Sequence, residues 1–206
     1  MSGTSIKLLP PSLKGDASVE ESISRRRSIR KFKDQHLSLS QLSQILWSVQ
    51  DITSINRQRA IPSAGATYPL EVFASVGKQT VEGLKAGIYH YEIDTHSLSL
   101  HLRDDMRQKL AEAALSQSFI ATASVNIVIC ALFSRTSYRY GKRGERYVHM
   151  EETEAGHAGQ KISLQAIALG MATILIGAFD DEEIRKVLEI EGQIEPLYII
   201  PIGKPL

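Results

Sequence analysis

The residues best suited to bind a ligand form a basic stretch at positions 24–33, SRRRSIRKFK. Six cationic side chains and two serines fall within these ten residues, although the whole chain of 206 residues has a net charge of only +1. Guanidinium groups bind phosphate oxygens bidentately, and hydroxyl and backbone N–H groups fill the remaining acceptor positions. The stretch therefore predicts a site for one compact anion, with a solvated basic turn as the alternative.

A loop of small residues at 62–69, PSAGATYP, is the second candidate. Its small side chains allow the backbone to approach a flat ligand closely, and its two prolines limit the freedom that is lost on binding. Hydrophobic periodicity disappears from Ile52 onwards, so the connection is long. That length favours a functional role over a plain connection between elements.

Positions 134–147 are predicted to form a polar, glycine-containing loop with four arginines and three tyrosines. A loop of this composition suits a substrate or partner surface. The sequence leaves open whether residues 134–146 close over a pocket as a lid.

Other common kinds of site find no support in the sequence. A G-x-G-x-x-G motif after a strand, a Walker-type phosphate loop and a G-x-S-x-G elbow are all missing. The only cysteine, Cys130, lies in the apolar run 125–133, where a buried and unreactive thiol is expected. The near-zero net charge also disfavours a nucleic-acid binder.

Metal binding would have to use four polar side chains of a predicted long helix: His149, Glu152, Glu154 and His157. Glu154 and His157 form one E-x-x-H spacing, but a carboxylate-bridged dimetal site in a helical bundle requires that motif twice. We therefore interpret these residues as a solvated helix face with one or two side chains that point into a pocket, and we predict no metal.

Helices and strands in mixed order must position these segments. Apolar runs predict strands at 70–76, 87–93, 98–102, 125–133 and 197–202, of which 125–133 is the buried central strand. Helices are predicted from Asp16, from Ser38 with a capping box to Gln41, within 103–118, over 147–169 and after Asp180.

The length of the chain fits a single domain. Residues 1–15 contain two prolines and a glycine and are predicted to be an irregular arm that drapes over its own domain or over a partner, followed by one domain at 16–206. The sequence shows neither the apolar core of a signal peptide nor a run long enough to span a membrane, so we expect a cytoplasmic protein without membrane association.

The identity and order of these segments resemble the FMN-dependent nitroreductase superfamily, and in particular its SagB-type dehydrogenase branch. Residues 26–30, RRSIR, are similar to the family's flavin-phosphate motif, residues 62–71 to its signature loop, and residues 176–179, IGAF, to its segment at the isoalloxazine edge. The resemblance extends from about residue 6 to residue 204 and includes GIYHY at 87–91, RGERY at 143–147 and EAGHAGQ at 154–160.

The resemblance implies an α+β, nitroreductase-like fold, in which a central, mostly antiparallel sheet is flanked by helices, and a domain-entwined homodimer with FMN at the subunit interface. The implied cofactor-binding residues are Arg26, Arg27, Ser28, Arg30, Pro62, Ser63, Ala64, Ile176, Gly177, Ala178 and Lys204. Arg26, Arg27 and Lys204 would neutralise the phosphate, and Ser28 would bind phosphate or ribityl oxygens. Arg30 would face the N1/C2-carbonyl edge of the ring, where reduction places negative charge. Residues 62–64 would come from the partner subunit.

The implied activity is ping-pong hydride transfer at flavin N5, between NAD(P)H and a small-molecule acceptor such as a nitro or quinone compound. The protein then sets the orientation, electronics and access of the cofactor. Neither the physiological acceptor nor the choice between NADH and NADPH can be read from the sequence.

One pair of residues departs from the branch. SagB-type enzymes that oxidise azoline rings in peptides rely on a Lys-Tyr pair, whereas the nearest residues here are Arg139 and Tyr140. Arginine stays protonated, so it would orient a substrate rather than act as a general base. Peptide azoline oxidation and flavin or ligand binding without catalysis therefore remain alternatives, and Tyr140 is either a catalytic proton donor or a packing residue.

Overall fold

A computed structural model describes residues 5–140, 144–190 and 192–206. Seven strands form one sheet: β1 (Ser5–Lys7), β2 (Leu70–Val76), β3 (Gly87–Glu92), β4 (Ser97–Arg103), β5 (Val125–Leu132), β6 (Ala172–Thr173) and β7 (Ile194–Gly203). Their order in the sheet is β1-β4-β3-β2-β5-β7-β6, and every pair of neighbours among these described strands is antiparallel. The expected antiparallel sheet is confirmed, and the strand predicted at 125–133 is β5, a buried interior strand between β2 and β7.

Seven α-helices accompany the sheet in the described part of the chain. They are α1 (Val19–Arg25), α2 (Leu39–Gln50), α3 (Arg107–Ala113), α4 (Phe119–Thr122), α5 (Ser134–Tyr140), α6 (Gly144–Ala168) and α7 (Asp181–Leu188). Short 3-10 turns occupy Ala64–Ala66 and Ile93–Thr95. Within this part of the chain, none of the helices is both long and apolar enough to cross a bilayer.

The two faces of the sheet bury different helices because side chains alternate along each strand. In β5, Ile127 and Ile129 pack in the cluster that includes α2 and α6, whereas Val128 and Cys130 pack in the cluster that includes α3, α4 and α7. The predicted small-residue face of the long helix is confirmed, since Ala155, Ala158, Ile162 and Ala166 are fully buried. The arrangement is the expected α+β sandwich of helices around a sheet.

Helix boundaries follow local capping chemistry, with one correction to the predictions. Ser38 and Gln41 form the expected capping box of α2, and Asp180 caps α7. The first helix is capped by Ser18 rather than Asp16, because the Ser18 hydroxyl accepts from Glu21 N while the Glu21 carboxylate accepts from Ser18 N.

The helix predicted within 103–118 is shorter than expected. It spans α3 alone, and Leu115 and Ser116 just after it have φ of 56° and 58°. A left-handed backbone cannot continue a right-handed helix, so the chain turns there before α4.

The N-terminal arm is partly regular, which corrects the prediction for residues 1–15. Ser5–Lys7 adds an edge strand to β4, and the residues after it lie on α2 of the same domain. There Ser43 Oγ donates to Leu9 O at 2.6 Å, and Ser12 N donates to Gln44 Oε1 at 2.8 Å. In this chain the arm therefore lies over its own domain.

The region predicted as a polar loop at 134–147 is largely helical, which is a second correction. Residues 134–140 form α5, residues 141–143 lie outside the described part, and α6 begins at Gly144, three residues before the predicted start. The polar composition of this segment reflects exposed helix positions, since Arg135, Tyr138 and Arg139 are all exposed.

Candidate active site

The basic stretch lies along one edge of the sheet, beside the end of the last strand. Ile29 N donates to Thr173 O at 3.1 Å, and Lys33 N donates to Lys204 O at 2.9 Å. These backbone bonds bring Lys204 next to a segment from which it is more than 170 positions away in the sequence. The structure therefore brings Lys204 next to Lys33, at the end of the basic stretch.

Close packing holds the stretch against β7. A Cβ atom at Gly203 would lie 2.9 Å from the ring of Phe32, which is buried. Only a glycine allows this approach of the stretch to the strand end. Phe32 is therefore the apolar residue that anchors the basic stretch to β7.

The cations of the stretch differ in what they contact. Arg27 Nη1 donates to Ser24 O at 3.0 Å and to Arg26 O at 2.7 Å, whereas the guanidinium of Arg30 lies 6.0 Å from the centre of the Phe119 ring. Among the described residues, Arg26, Arg27, Arg30 and Lys204 form no ion pair with a carboxylate. Their charges therefore fit an anionic group such as a phosphate.

The Ile176–Ala178 segment lies on the same side of the molecule. Ile176 exchanges two backbone hydrogen bonds with Ile199 of β7, and the next two residues, Gly177 and Ala178, are exposed. Ala178 O accepts from Gln117 Nε2 at 3.0 Å, and Gln117 lies two residues before Phe119, the first residue of α4. The segment and Arg30 thus both lie near the start of α4.

The 62–69 loop lies at the opposite end of the sheet. It enters β2 at Leu70, which pairs with Ala131, whereas the basic stretch neighbours the end where Val125 pairs with Ile202. Six residue steps of β5 separate these two ends, a distance of about 20 Å. Within one chain, the structure does not bring Pro62, Ser63 and Ala64 to the basic stretch.

Backbone strain and several hydrogen bonds define the shape of this loop. Gly65, Ala66 and Tyr68 have φ of 59°, 53° and 47°. Tyr68 N donates to Ser63 Oγ at 2.9 Å, and Thr67 Oγ1 lies 3.0 Å from Thr136 Oγ1 of α5. Left-handed conformations of non-glycine residues persist only where surrounding contacts hold them, and such positions cluster at functional sites.

Glu154 of α6 anchors the 62–69 loop through a hydrogen bond, a role that the sequence analysis did not predict. The Glu154 side chain is buried, and its Oε1 accepts from Ala64 N at 2.8 Å. Burial raises the pKa of this carboxyl group. The sequence had suggested Glu154 only as one of several polar groups on a helix, because its partner is a backbone N–H ninety residues away.

The structure provides no support for a metal site on α6. Among the residues that the structure describes, no group of three or more His, Cys, Asp or Glu side chains is arranged to hold a metal ion. The side chain of His149 lies outside this part.

Tyr140 packs against the 62–69 loop and not against the basic stretch. A Cβ atom at Gly65 would overlap the Tyr140 hydroxyl and would lie 2.9 Å from Arg139 Nε. Arg139 and Tyr140, the two residues at the position of the Lys-Tyr pair, therefore contact the 62–69 loop at Gly65, which has no side chain.

The family model for the Nitroreductase family matches residues 23–204, which include every candidate site residue. The chain belongs to the nitroreductase family. The expected resemblance and fold are thereby confirmed, and the protein is an oxidoreductase of this family.

Two relatives indicate where this chain lies within the nitroreductase family. A protein of Methanocaldococcus jannaschii that carries the name of a nitroreductase is 40% identical over 188 residues, which cover 91% of each chain. The microcin B17-processing protein McbC of Escherichia coli is 25% identical over 156 residues, which cover 69% of this chain and 53% of McbC. The second relative agrees with the SagB-type branch.

Solved structures show the same fold. A crystal structure of a nitroreductase-type protein from Ralstonia eutropha superposes with a TM-score of 0.83 at 22% identity, covering 98% of this chain and 90% of that one. The similarity in structure exceeds the similarity in sequence, so the nitroreductase fold is conserved between chains whose residues differ at most positions.

Proposed function

We propose that this nitroreductase-family protein binds FMN and transfers hydride between NAD(P)H and a small organic acceptor, such as a nitro or quinone compound. The observation that carries the proposal is the hydrogen bond from Lys33 N to Lys204 O, which brings the last cation of the chain to the end of the basic stretch that contains Arg26, Arg27 and Arg30. This cluster fits the phosphate of a flavin mononucleotide.

Different residues of the candidate site would bind different parts of FMN. Arg26, Arg27 and Lys204 would bind the phosphate, and the exposed Ser28 hydroxyl would bind the phosphate or a ribityl oxygen. Arg30 would face the edge of the ring that gains negative charge, and Ile176, Gly177 and Ala178 would lie near N5. When bound, FMN supplies hydride transfer at N5 in two half-reactions that share one pocket.

The separation of the two groups of site residues supports a homodimer. The basic stretch and the 62–69 loop neighbour opposite ends of β5, which lie about 20 Å apart, so we do not expect one chain to place both against the same ring. Leu13, Val19 and Ile23 of the arm and α1 are exposed apolar side chains, at 81%, 65% and 57%, and suit burial against a second copy. We infer that each FMN is shared between a basic stretch and the partner's 62–64 segment.

Peptide azoline oxidation is the second candidate function. The similarity to a microcin-processing protein favours it. Arg139 opposes it, because a guanidinium that stays protonated cannot serve as the general base that the lysine of the pair would supply. Both functions require the same FMN site, so the acceptor decides between them.

Absorbance and turnover test the proposal. We expect the purified protein to carry or take up FMN, to be bleached by NADH or NADPH, and to regain its colour with nitroaromatics or quinones but not with azoline peptides. Protein that takes up no FMN would contradict the proposal at its first step. Bound FMN that neither nicotinamide reduces would instead support flavin binding without catalysis.

Mixed dimers test the shared site. A chain with Arg26→Ala has a damaged phosphate site, and a chain with Ala64→Trp has a blocked loop. Co-expression of the two should restore one intact site in each mixed dimer, because the normal stretch of one chain meets the normal loop of the other. If each site were built within one chain, mixing would restore no FMN binding.

A further inference from the structure

An open groove of about 570 Å³ lies between α5 and the 62–69 loop. The residues that line this α5 groove are Ala66, Thr67, Ser134, Arg135, Tyr138 and Arg139. It lies at the opposite end of the sheet from the basic stretch and beside the segment that would face the flavin. A molecule in this groove would therefore lie next to the reacting ring without contacting the phosphate site of the same chain.

The two arginines of the groove differ in their charge balance. Arg135 forms an ion pair with Glu71 and also donates to Tyr68 O at 3.0 Å, so its charge is compensated. Arg139 forms no ion pair with any carboxylate in the described part of the chain, although it lies against the backbone of Gly65. None of the described residues that line the groove is acidic. As far as the described residues show, the groove thus presents one guanidinium without a carboxylate partner.

Tyr138, the aromatic residue next to Arg139, has a highly exposed side chain. Tyr138 is 94% exposed, one residue before Arg139 and on the same short helix. A flat ring in water offers a stacking surface, and a guanidinium binds a carboxylate with two parallel hydrogen bonds. One ring and one free guanidinium together match a planar aromatic molecule that carries a single negative charge.

We propose that the α5 groove binds the electron acceptor and selects planar aromatic monoanions, with Arg139 binding the carboxylate and Tyr138 stacking on the ring. This inference rests on the proposed function for its role in turnover, but binding in the groove can be measured without turnover. An acidic peptide is the other anionic ligand to consider. A peptide with several carboxylates would require more free guanidinium groups than the one that the described groove offers.

Matched neutral and anionic ligands test the proposal. Calorimetric titration of the oxidised, FMN-supplemented 206-residue protein with 4-nitrobenzoate and with 4-nitrobenzamide compares two molecules of nearly equal shape. We expect the anion to bind about tenfold more tightly, a typical preference for a hydrogen-bonded charge pair. Arg139→Gln should reduce that preference to below about twofold, and Arg139→Lys should retain part of it.

Control variants separate the groove from general electrostatics. Arg103→Gln removes an exposed arginine at the end of β4 and should leave the tenfold preference unchanged. Tyr138→Ala should weaken both ligands by a similar factor, because stacking does not depend on the charge of the carboxylate. Equal binding of the two ligands by the unmodified protein, or a preference that survives Arg139→Gln, would overturn the proposal.

Turnover then distinguishes this inference from the proposed function. Arg139-dependent binding of 4-nitrobenzoate without its reduction would support the groove and contradict nitro reduction. Reduction of both nitro compounds with equal affinity would support the oxidoreductase and contradict the groove. An acidic tetrapeptide that binds in an Arg139-dependent manner where 4-nitrobenzoate does not would replace the small aromatic ligand with a peptide and so overturn the proposal.

Discussion

The hydroxyl group of Tyr140 occupies the space that a side chain at Gly65 would fill. The strained 62–69 loop and α5 therefore fit together only because residue 65 has no Cβ, and because its φ of 59° is easily adopted by glycine. The sequence left open whether Tyr140 is a catalytic or a packing residue. The structure places it in direct contact with the loop that would face the cofactor.

Gly65→Ala tests this contact. We expect the variant to displace Tyr140, to lose about 1–2 kcal/mol of unfolding free energy from the left-handed backbone alone, and to lose activity as well. Gly83→Ala is the matched control, since Gly83 has φ of 75° but a Cβ there would meet nothing within 4 Å. Urea denaturation and turnover should show similar strain in both variants but a loss of turnover only in Gly65→Ala.

Glu154 offers a second prediction about the same loop. Glu154→Leu should destabilise the protein by about 1–3 kcal/mol, because it leaves the Ala64 N–H without its acceptor. Glu154→Gln retains an acceptor oxygen and should preserve most of the stability. Chemical denaturation of both variants measures the difference, and equal losses in the two would show that the hydrogen bond is not what anchors the loop.

The pH dependence of Glu154→Gln follows from the sign of the pKa shift. Burial raises the pKa of Glu154 in the folded protein, so its favourable contribution is complete below the unfolded pKa of 4.5 and is lost as pH rises through the folded pKa. The glutamine variant does not titrate. We expect its stability relative to the unmodified protein to increase as pH rises above 4.5, and a constant difference would contradict this.

A histidine between two carboxylates gives a third prediction. His90 Nε2 lies 2.6 Å from Glu71 Oε2, and His90 Nδ1 lies 3.1 Å from Glu92 Oε1. Burial acts to lower the pKa of His90, but the hydrogen bonds to Glu71 and Glu92 outweigh it and the pKa rises. Burial acts to raise the pKa of both carboxyl groups, but hydrogen bonds from His90, with Arg135 at Glu71 and Ser99 at Glu92, lower it.

These shifts define a window of pH in which the cluster stabilises the fold. The histidine contribution is complete below pH 6.5 and is lost as pH rises through the raised pKa, whereas the carboxylate contributions are complete above pH 4.5 and are lost at lower pH. His90→Gln should therefore be most destabilising between these values and less so in alkaline solution. Thermal unfolding across pH, with the exposed His36→Gln as control, measures this.

Arg26 is predicted to act on cofactor retention. Arg26→Ala should release FMN with at least about a tenfold rise in Kd, because it removes a charge-assisted bond to the phosphate. The reduction potential of the flavin that remains bound should change little. Fluorescence titration measures the affinity, and Lys31→Ala, an exposed cation of the same stretch, serves as control.

Arg30 is predicted to act on flavin electronics instead. Arg30→Ala should lower the reduction potential and slow turnover more than it weakens FMN binding, since its proposed partner is charge that develops on the ring. Dye-coupled potentiometry on FMN-saturated protein gives the potential. An unchanged potential together with a large loss of affinity would place Arg30 with Arg26 at the phosphate.

The sequence alone determined the elements whose signals are local. The continuous apolar run of β5, the capping box of Ser38 and Gln41, and the Asp180 cap all depend on residues within a few positions of one another. The same holds for the motif order that indicated the family. The errors at Asp16 and in α5 arose where two local signals competed, because Ser18 offered a complete capping box and because a polar helix has the composition of a loop.

Only the tertiary structure decided which candidate residues share a site. Strand pairing is set by contacts between distant parts of the chain, and it placed Lys204 beside Lys33 but left Pro62, Ser63 and Ala64 at the far end of β5. The contacts of Glu154 with Ala64 and of Tyr140 with Gly65 depend on the same long-range register. The spacing of residues along the sequence does not give these distances, because they are determined by the register in which the strands pair.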